Sequence, residues 1–310
     1  MADVMPDVSI IIAAYNVENY IEQAIHSALN QNGVSVEIIV VNDASKDGTK
    51  AAIACVKDPR ITTIDLATNK GAAGARNAGI AVAKGRWIAV LDGDDALTPN
   101  RLKDCLAKAG DADIITDNLQ VRDESTGNYY NMYPEAFFTR TPILNLTTFI
   151  KGNQSFLGDG ISLGYLKPIF ACAFLQKHDL QYDPDIHIGE DYMLLAEALA
   201  AGALCKTIND NGYIYTKRRG STSHRLTLDD IHRIQSGDKK FLAKYPLNAE
   251  AQDAQNKRTA NLAQAAAFTQ LVEAIKQHKM ADIFTIALEH PSVLFLLWRP
   301  LFARVSKIIG

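Results

Sequence analysis

Residues 69–95 read NKGAAGARNAGIAVAKGRWIAVLDGDD. The apolar run at 87–91 suits a strand, and it leads directly into Asp92, Gly93, Asp94 and Asp95. Acids at the C-terminal ends of strands stand where open α/β sheets bind their ligands. Three carboxylates in four residues repel one another unless a cation or solvent relieves them. Gly93 lets the backbone bend so that the flanking carboxylates can face one site. Hard divalent cations take oxygen ligands, and Mg2+ or Mn2+ typically bridges one or two carboxylates to substrate phosphates. The plainer reading of the same residues is a turn with a helix cap.

Working outward, the first ~115 residues alternate strand and helix patterns, as parallel α/β architecture does. Residues 8–13 are a continuous, largely β-branched run, expected of a strand buried on both faces. Ile21, Ala24, Ile25, Ala28 and Leu29 follow at helical spacing, with Gly33 as a stop. Further strands are expected at 36–41, 61–66 and 114–116, and further helices at 49–56, 71–83 and about 99–106. Asp43 stands at the end of the second strand, as Asp92 does at the end of the fourth. From 118 to 164 the pattern loosens: strand-like pieces flank Ser125, Thr126, Gly127 and Asn128, which suits a hairpin, and the rest is rich in glycine and aromatics. Helical patterning returns at 171–178 and 191–201. After residues 213–215 the chain reads as polar, then strongly helical from about 248 to 288, as a packed helical hairpin. The expected organisation is an α/β domain over residues 1–220 and a helical C-terminal region over 221–310.

Composition narrows the function. A formal net charge of −3 without a long basic run argues against nucleic acid as a partner. Cys55, Cys105, Cys172 and Cys205 have no metal-type spacing and suit buried thiols in a reducing compartment. The N-terminal stretch has acids where a signal peptide needs bases, so a cytoplasmic protein is expected. No stretch reaches the ~20 apolar residues of a membrane-spanning helix. The tail, 291–310, carries Arg299, Arg304 and Lys307 with Trp298 and Phe302 and no acid. It suits either the plane of a membrane interface or a helix docked on the protein's own core.

The phosphate loop G-x-x-x-x-G-K-[ST] is absent, and Gly71, Ala72, Ala73 and Gly74 do not form G-x-G-x-x-G in the first βα turn. That first turn is instead Ala13, Ala14, Tyr15 and Asn16, small residues followed by an aromatic that could stack on a base.

Taken together, VSIIIAAYN, VEIIVVNDASKDGT, NKGAAGARNAGIAVAKGRWIAVLDGDD, IGEDYMLL and YIYTKRRGSTSH resemble the inverting family 2 glycosyltransferases, whose fold is GT-A. The resemblance spans residues 8 to about 224. It implies a mostly parallel, Rossmann-like sheet with a helical C-terminal appendage. Ala14, Tyr15 and Asn16 would line the nucleoside pocket, and Asp43 would hydrogen-bond the base, usually uracil. Asn69, Gly71 and Arg76 would border nucleotide and sugar. Asp92 would contact ribose or metal, Asp94 the metal, Mn2+ or Mg2+, on the diphosphate. The Glu190–Asp191 pair matches the family's acidic motif, which makes Asp191 the base. Arg219 and Ser223 would close over the diphosphate, and His224 would join the metal.

The chemistry agrees with this reading. A carboxylate can take the acceptor hydroxyl's proton during attack on the anomeric carbon, and direct displacement inverts that centre. On the residues alone, Glu190 and Asp191 also suit acids in the first turn of a helix. The expected reaction moves one sugar from a UDP-sugar to a saccharide acceptor, lipid-linked at the inner membrane face, in bacterial surface polysaccharide synthesis. Two rivals stand beside it. A sugar nucleotidyltransferase would need a glycine-rich Arg/Lys loop after the first strand. A non-catalytic nucleotide-binding module would bind UDP without turnover.

Overall fold

A computed structural model describes residues 5–156, 162–218 and 226–296. The apolar runs of the N-terminal half lie side by side in one sheet. β1 (Val8–Ala14) pairs in parallel with β2 (Val36–Asn42) on one side and β4 (Trp87–Asp92) on the other, and β3 (Ile61–Asp65) lies outside β2. Ala14 is level with Asn42, and Ala13 with Asp92, so the three central strands end along one edge. Ile10, Ile11 and Ile12 are all fully buried, as a strand covered on both faces requires.

The helices α1 (Ile21–Leu29), α2 (Thr49–Cys55) and α3 (Gly71–Ile80) connect these strands. Gly79 lets α3 lie close on β1, since a Cβ there would come within 2.5 Å of Ile11 Cγ2. That close approach sets how near α3 carries its other residues to the strand ends.

Past Asp92 the sheet changes character. β5 (Ala96–Leu97) and α4 (Arg101–Ala107) lead to β6 (Ile114–Asp123), which turns back through a hairpin into β7 (Asn128–Asn131). Two short helices, α5 (Glu135–Arg140) and α6 (Leu146–Lys151), precede β8 (Ile169–Ala171) and α7 (Cys172–Lys177). After α8 (Glu190–Ala200) comes β9 (Cys205–Lys217). The strand order is β3-β2-β1-β4-β8-β6-β9-β5. β8 runs antiparallel to both β4 and β6, and β5 antiparallel to β9, while β6 and β9 are parallel.

The sheet is therefore mixed, where a mostly parallel one was expected. The strand expected at 114–116 extends to Asp123. The other difference is β9, which runs through Asn209, Asp210, Asn211 and Gly212, residue types common in turns. The Arg101 side chain fills the space above Gly212, only 2.3 Å from where a Cβ would stand.

C-terminal to β9 the described chain is helical: α9 (Leu228–Lys244), α10 (Ala249–Lys276), α11 (Met280–Glu289) and α12 (Ser292–Leu296). α9 replaces the expected polar stretch, and its start is a full capping box between Thr227 and Asp230. Phe241 of α9 belongs to the main core, whereas Leu262 and Ala265 of α10 close a smaller cluster with Ile231 and Ile234. No described helix is long and apolar enough to cross a membrane.

Candidate active site

The level strand ends bring the acids together. Asp92 leaves β4 beside β1, α3 presents Arg76 from one side, and α8 presents Glu190 and Asp191 from another. Gly189, with φ of +89°, is the residue that starts α8 in this direction.

Arg76 is 2% exposed and is bound by three carboxylates. Its Nη1 donates to Glu190 Oε1 at 2.7 Å and to Asp191 Oδ1 at 2.8 Å, and its Nη2 donates to Asp92 Oδ1 at 2.7 Å. The guanidinium also lies 5.2 Å from the centre of the Tyr182 ring. A second buried cation completes the network. Lys167 Nζ stands 2.8 Å from both Asp92 Oδ2 and Asp191 Oδ2. Burial opposes ionisation of Asp92, but Lys167 and Arg76 outweigh it and hold its carboxyl far below the usual range. Burial, with the adjacent Asp191 charge, pushes Glu190 up.

The other two acids of the cluster behave differently. Asp94 is pushed up by burial and by the Asp92 charge, and the nearby cation is Arg218, with Nε 2.7 Å from Oδ2. Asp95 is buried and structural: its Oδ2 accepts from Tyr213 Oη and its Oδ1 from the Thr216 amide, both at 2.7 Å. Burial, reinforced by Asp92 and Asp94, raises the Asp95 carboxyl well above its ordinary value.

Along the same edge, Asp43 is buried and accepts from the Lys70 amide at 2.7 Å, with burial pushing its carboxyl up. Asn69 braces it, donating to the Asp43 carbonyl and accepting from the Gly71 amide. Gly71 has φ of +71° and turns the chain into α3. Asn16, also at positive φ, accepts from the Lys46 amide and so ties the β1 turn to the β2 turn. Tyr15 beside it is exposed, while Ala14 is buried.

Asp92, Arg76, Glu190 and Asp191 thus meet in one network, with Asp94 at its border, and Ala14, Tyr15, Asn16, Asp43, Asn69 and Gly71 lie along the adjoining strand ends. Arg76 is enclosed among carboxylates rather than open to the cleft. Arg219, Ser223 and His224 lie outside the described residues. Lys167 is the residue that sequence reasoning missed. Its signal was a lysine between Leu166 and Pro168, ahead of an apolar strand, where a charge has no business unless paired. Arg218 belonged to a stretch read as phosphate-binding, and its approach to Asp94 was not foreseen.

Among the described residues no group of three or more His, Cys, Asp or Glu side chains has gathered to hold a metal ion. The fit to a hard cation rests on two carboxylates. Asp94 carries charge that burial and Asp92 make costly, and one divalent cation would relieve it. Two carboxylates with diphosphate oxygens are an ordinary Mg2+ donor set.

Known proteins resemble this chain in sequence and in fold. The profile of Glycosyl transferase family 2 matches residues 9–170. The chain is 44% identical over 308 residues to the succinoglycan biosynthesis protein ExoO of Rhizobium meliloti, covering 99% of this chain and 88% of that one. It is 31% identical over 217 residues, 70% of this chain and 79% of the relative, to the UDP-Glc:alpha-D-GlcNAc-diphosphoundecaprenol beta-1,3-glucosyltransferase WfaP of Escherichia coli. S. aureus TarS 1-349, solved with UDP-GlcNAc, superposes with a TM-score of 0.66 at 18% identity over 92% of each chain. A mannosyltransferase of Pyrobaculum calidifontis, solved with GDP-Man and Mn2+, gives 0.58 at 18% identity over 93% of this chain and 82% of that one. The fold is of the GT-A kind. The chain belongs to glycosyl transferase family 2.

Proposed function

We propose that this glycosyltransferase moves a single sugar, with inversion, from a UDP-sugar to a saccharide acceptor during assembly of a bacterial surface polysaccharide. The observation that carries the reading is the network itself: two buried cations hold Asp92 and Asp191 together where the parallel strands end. The names of ExoO and WfaP support the polysaccharide setting, and the diphosphoundecaprenol acceptor in WfaP's name supports a lipid-linked one at the inner membrane face. Membership of the family removes the nucleotidyltransferase alternative. Residues 1–220 would hold the transfer chemistry, and 221–310 would be a helical region built onto it.

Asp191 is the proposed base. Arg76 and Lys167 each occupy one of its oxygens, which aims it, and each oxygen retains a lone pair. The acceptor hydroxyl attacks the anomeric carbon while Asp191 takes its proton. The bond from that carbon to the diphosphate breaks, and the nucleotide leaves with the electron pair. Asp94, with Asp92, would hold Mn2+ or Mg2+, which supplies Lewis-acid stabilisation to the leaving diphosphate. Ala14, Tyr15 and Asn16 would face the nucleoside and Asp43 its base. Asn69 and Gly71 would border the nucleotide, Arg219 and Ser223 the diphosphate, and His224 would be a further metal ligand.

The test is a screen of UDP- and GDP-sugars for nucleotide release with Mn2+, against a chelator control. Asp191→Asn is expected to keep UDP–Mn2+ binding and to lose transfer by about 1,000-fold or more, within the range that a general base and its positioning supply. Transfer at the wild-type rate by that variant would remove Asp191 from the role of base. Binding without turnover by the wild type, on any donor, would favour a non-catalytic module.

A further inference from the structure

The final described helices have two apolar faces, and only one has a partner among the described residues. On the inner face of α11, Ile283 and Ile286 join Phe268 over the buried Ala267, Leu271 and Val293. On the other, Met280, Phe284 and Leu288 stand at i, i+4 and i+8 and are 60%, 63% and 82% exposed. Phe295 of α12 is 79% exposed. No residue of α11 is buried. Single exposed apolar residues are common on any protein, but a stripe of long side chains along one helix marks an interaction surface.

Charge indicates what it meets. Residues 276–310 carry five Lys and Arg (Lys276, Lys279, Arg299, Arg304 and Lys307) against Asp282 and Glu289, a balance of +3 in a chain whose net charge is −3. The remaining 275 residues therefore carry −6. A second copy docked through the same face would set like charges together. The sequence after α12 adds Trp298 and Phe302 and no acid that could neutralise the excess. An apolar stripe followed in the sequence by cations and aromatics suits the headgroup boundary of a bilayer, and an anionic surface attracts this end while repelling the rest.

We propose that the α11–α12 face is a seat on anionic phospholipid bilayers, with Met280, Phe284, Leu288 and Phe295 in the headgroup–acyl boundary. The seat deepens the reading of a lipid-linked acceptor, because it would hold the enzyme on the surface where such an acceptor lies.

The test is flotation of the full chain with vesicles of phosphatidylcholine alone and of phosphatidylcholine with phosphatidylglycerol. Binding is expected at least ten-fold stronger to the anionic vesicles and weaker at high salt. The triple variant Met280→Ser, Phe284→Ser, Leu288→Ser should lose at least ten-fold of that binding with an unchanged melting temperature. Equal flotation of wild type and variant, or no flotation of the wild type, would overturn the seat. A chain ending at Leu296 that floats better than the full chain would show that the tail covers the stripe. A dimer in sedimentation that the triple variant splits would assign the face to a second copy. Either result overturns the proposal. Nucleotide release from a UDP-sugar is measured in the same preparations without vesicles. Flotation without release sinks only the enzymatic reading, and release without flotation sinks only the seat.

Discussion

At the residue scale, Lys167 has two duties that a single substitution can separate. Its ammonium neutralises Asp92 and orients Asp191. Replacing it with methionine leaves both carboxylates to Arg76. A loss of about 2–4 kcal/mol at pH 7 is expected, somewhat below a fully buried pair because both acids keep a partner and some solvent. The sign of the pH effect follows from Asp92. Its folded carboxyl is held low, so its contribution is fully present above the unfolded value of about 4 and is lost as pH falls below that. The gap between Lys167→Met and wild type should therefore be widest at neutral pH and narrow below pH 4, measured by urea unfolding. A gap that widens in acid would contradict the pairing. Transfer should fall on the order of 10–100-fold, since a displaced base loses about that much. Asp92, Asp94 and Asp191 were legible because acids cluster at a strand end and in a family-like pair. Lys167 was harder to read, because its apolar surroundings imply a partner but not that the partners lie 24 and 75 residues away.

At the scale of elements, the C-terminal helices reach into the site through α8. Tyr192, next to Asp191, is stacked on Phe149 with ring centres 5.2 Å apart, and Arg258 of α10 lies 3.7 Å over its ring. Arg258 in turn donates to Asp238 of α9 and to the Asn153 carbonyl. One buried cation thus joins α9, α10 and α8. Arg258→Met would strand a buried Asp238, a cost of about 3–5 kcal/mol. It should also lower kcat with little effect on nucleotide affinity, because the base moves and the strand-end pocket does not. Pairing it with Asp238→Leu should recover most of the stability, since a buried ion pair exchanges for apolar residues at little cost. Thermal melts of the single and double variants decide this. If the single variant melts with wild type, the clamp carries no load. The α8 and α10 helices were readable from their periodicity. α9 was passed over because its polar composition hides the Thr227–Asp230 cap and the Ile231, Ile234 and Phe241 face.

Across the whole molecule, the parallel half could be read almost strand by strand, because β-branched runs buried on both faces carry a strong local signal. The mixed half could not. β8 is three residues long, and β9 shifts register against β6 at Asn209–Gly212, where Asp117 accepts from the Gly212 amide and the Arg101 side chain lies close. Long-range packing decides such segments, and local propensity does not. The same interdependence bears on the boundary expected near residue 220. Gly237 of α9 packs against Ile186 and Met193, and Phe241 sits in the main core. A chain ending at Arg218 is therefore expected to lose a single cooperative thermal transition, as seen by circular dichroism. A truncated chain melting cooperatively near the wild-type temperature would establish a separable domain.

The pairing of β6 with β9 also bears on how the chain is made. Ile114 is opposite Cys205, about 90 residues later in the chain. At roughly 5–20 residues per second, a ribosome needs on the order of 10 s to deliver β9 after β6 has emerged. The first four strands can close among themselves in that interval, but β6 waits with one edge unfilled. Its hairpin with β7 and its short ladder to β8 form from residues synthesised sooner and cover its other edge, so that only the side β9 will take stays open. Order of synthesis thus favours an early parallel half and a late closing strand, with the helices that clamp α8 arriving last.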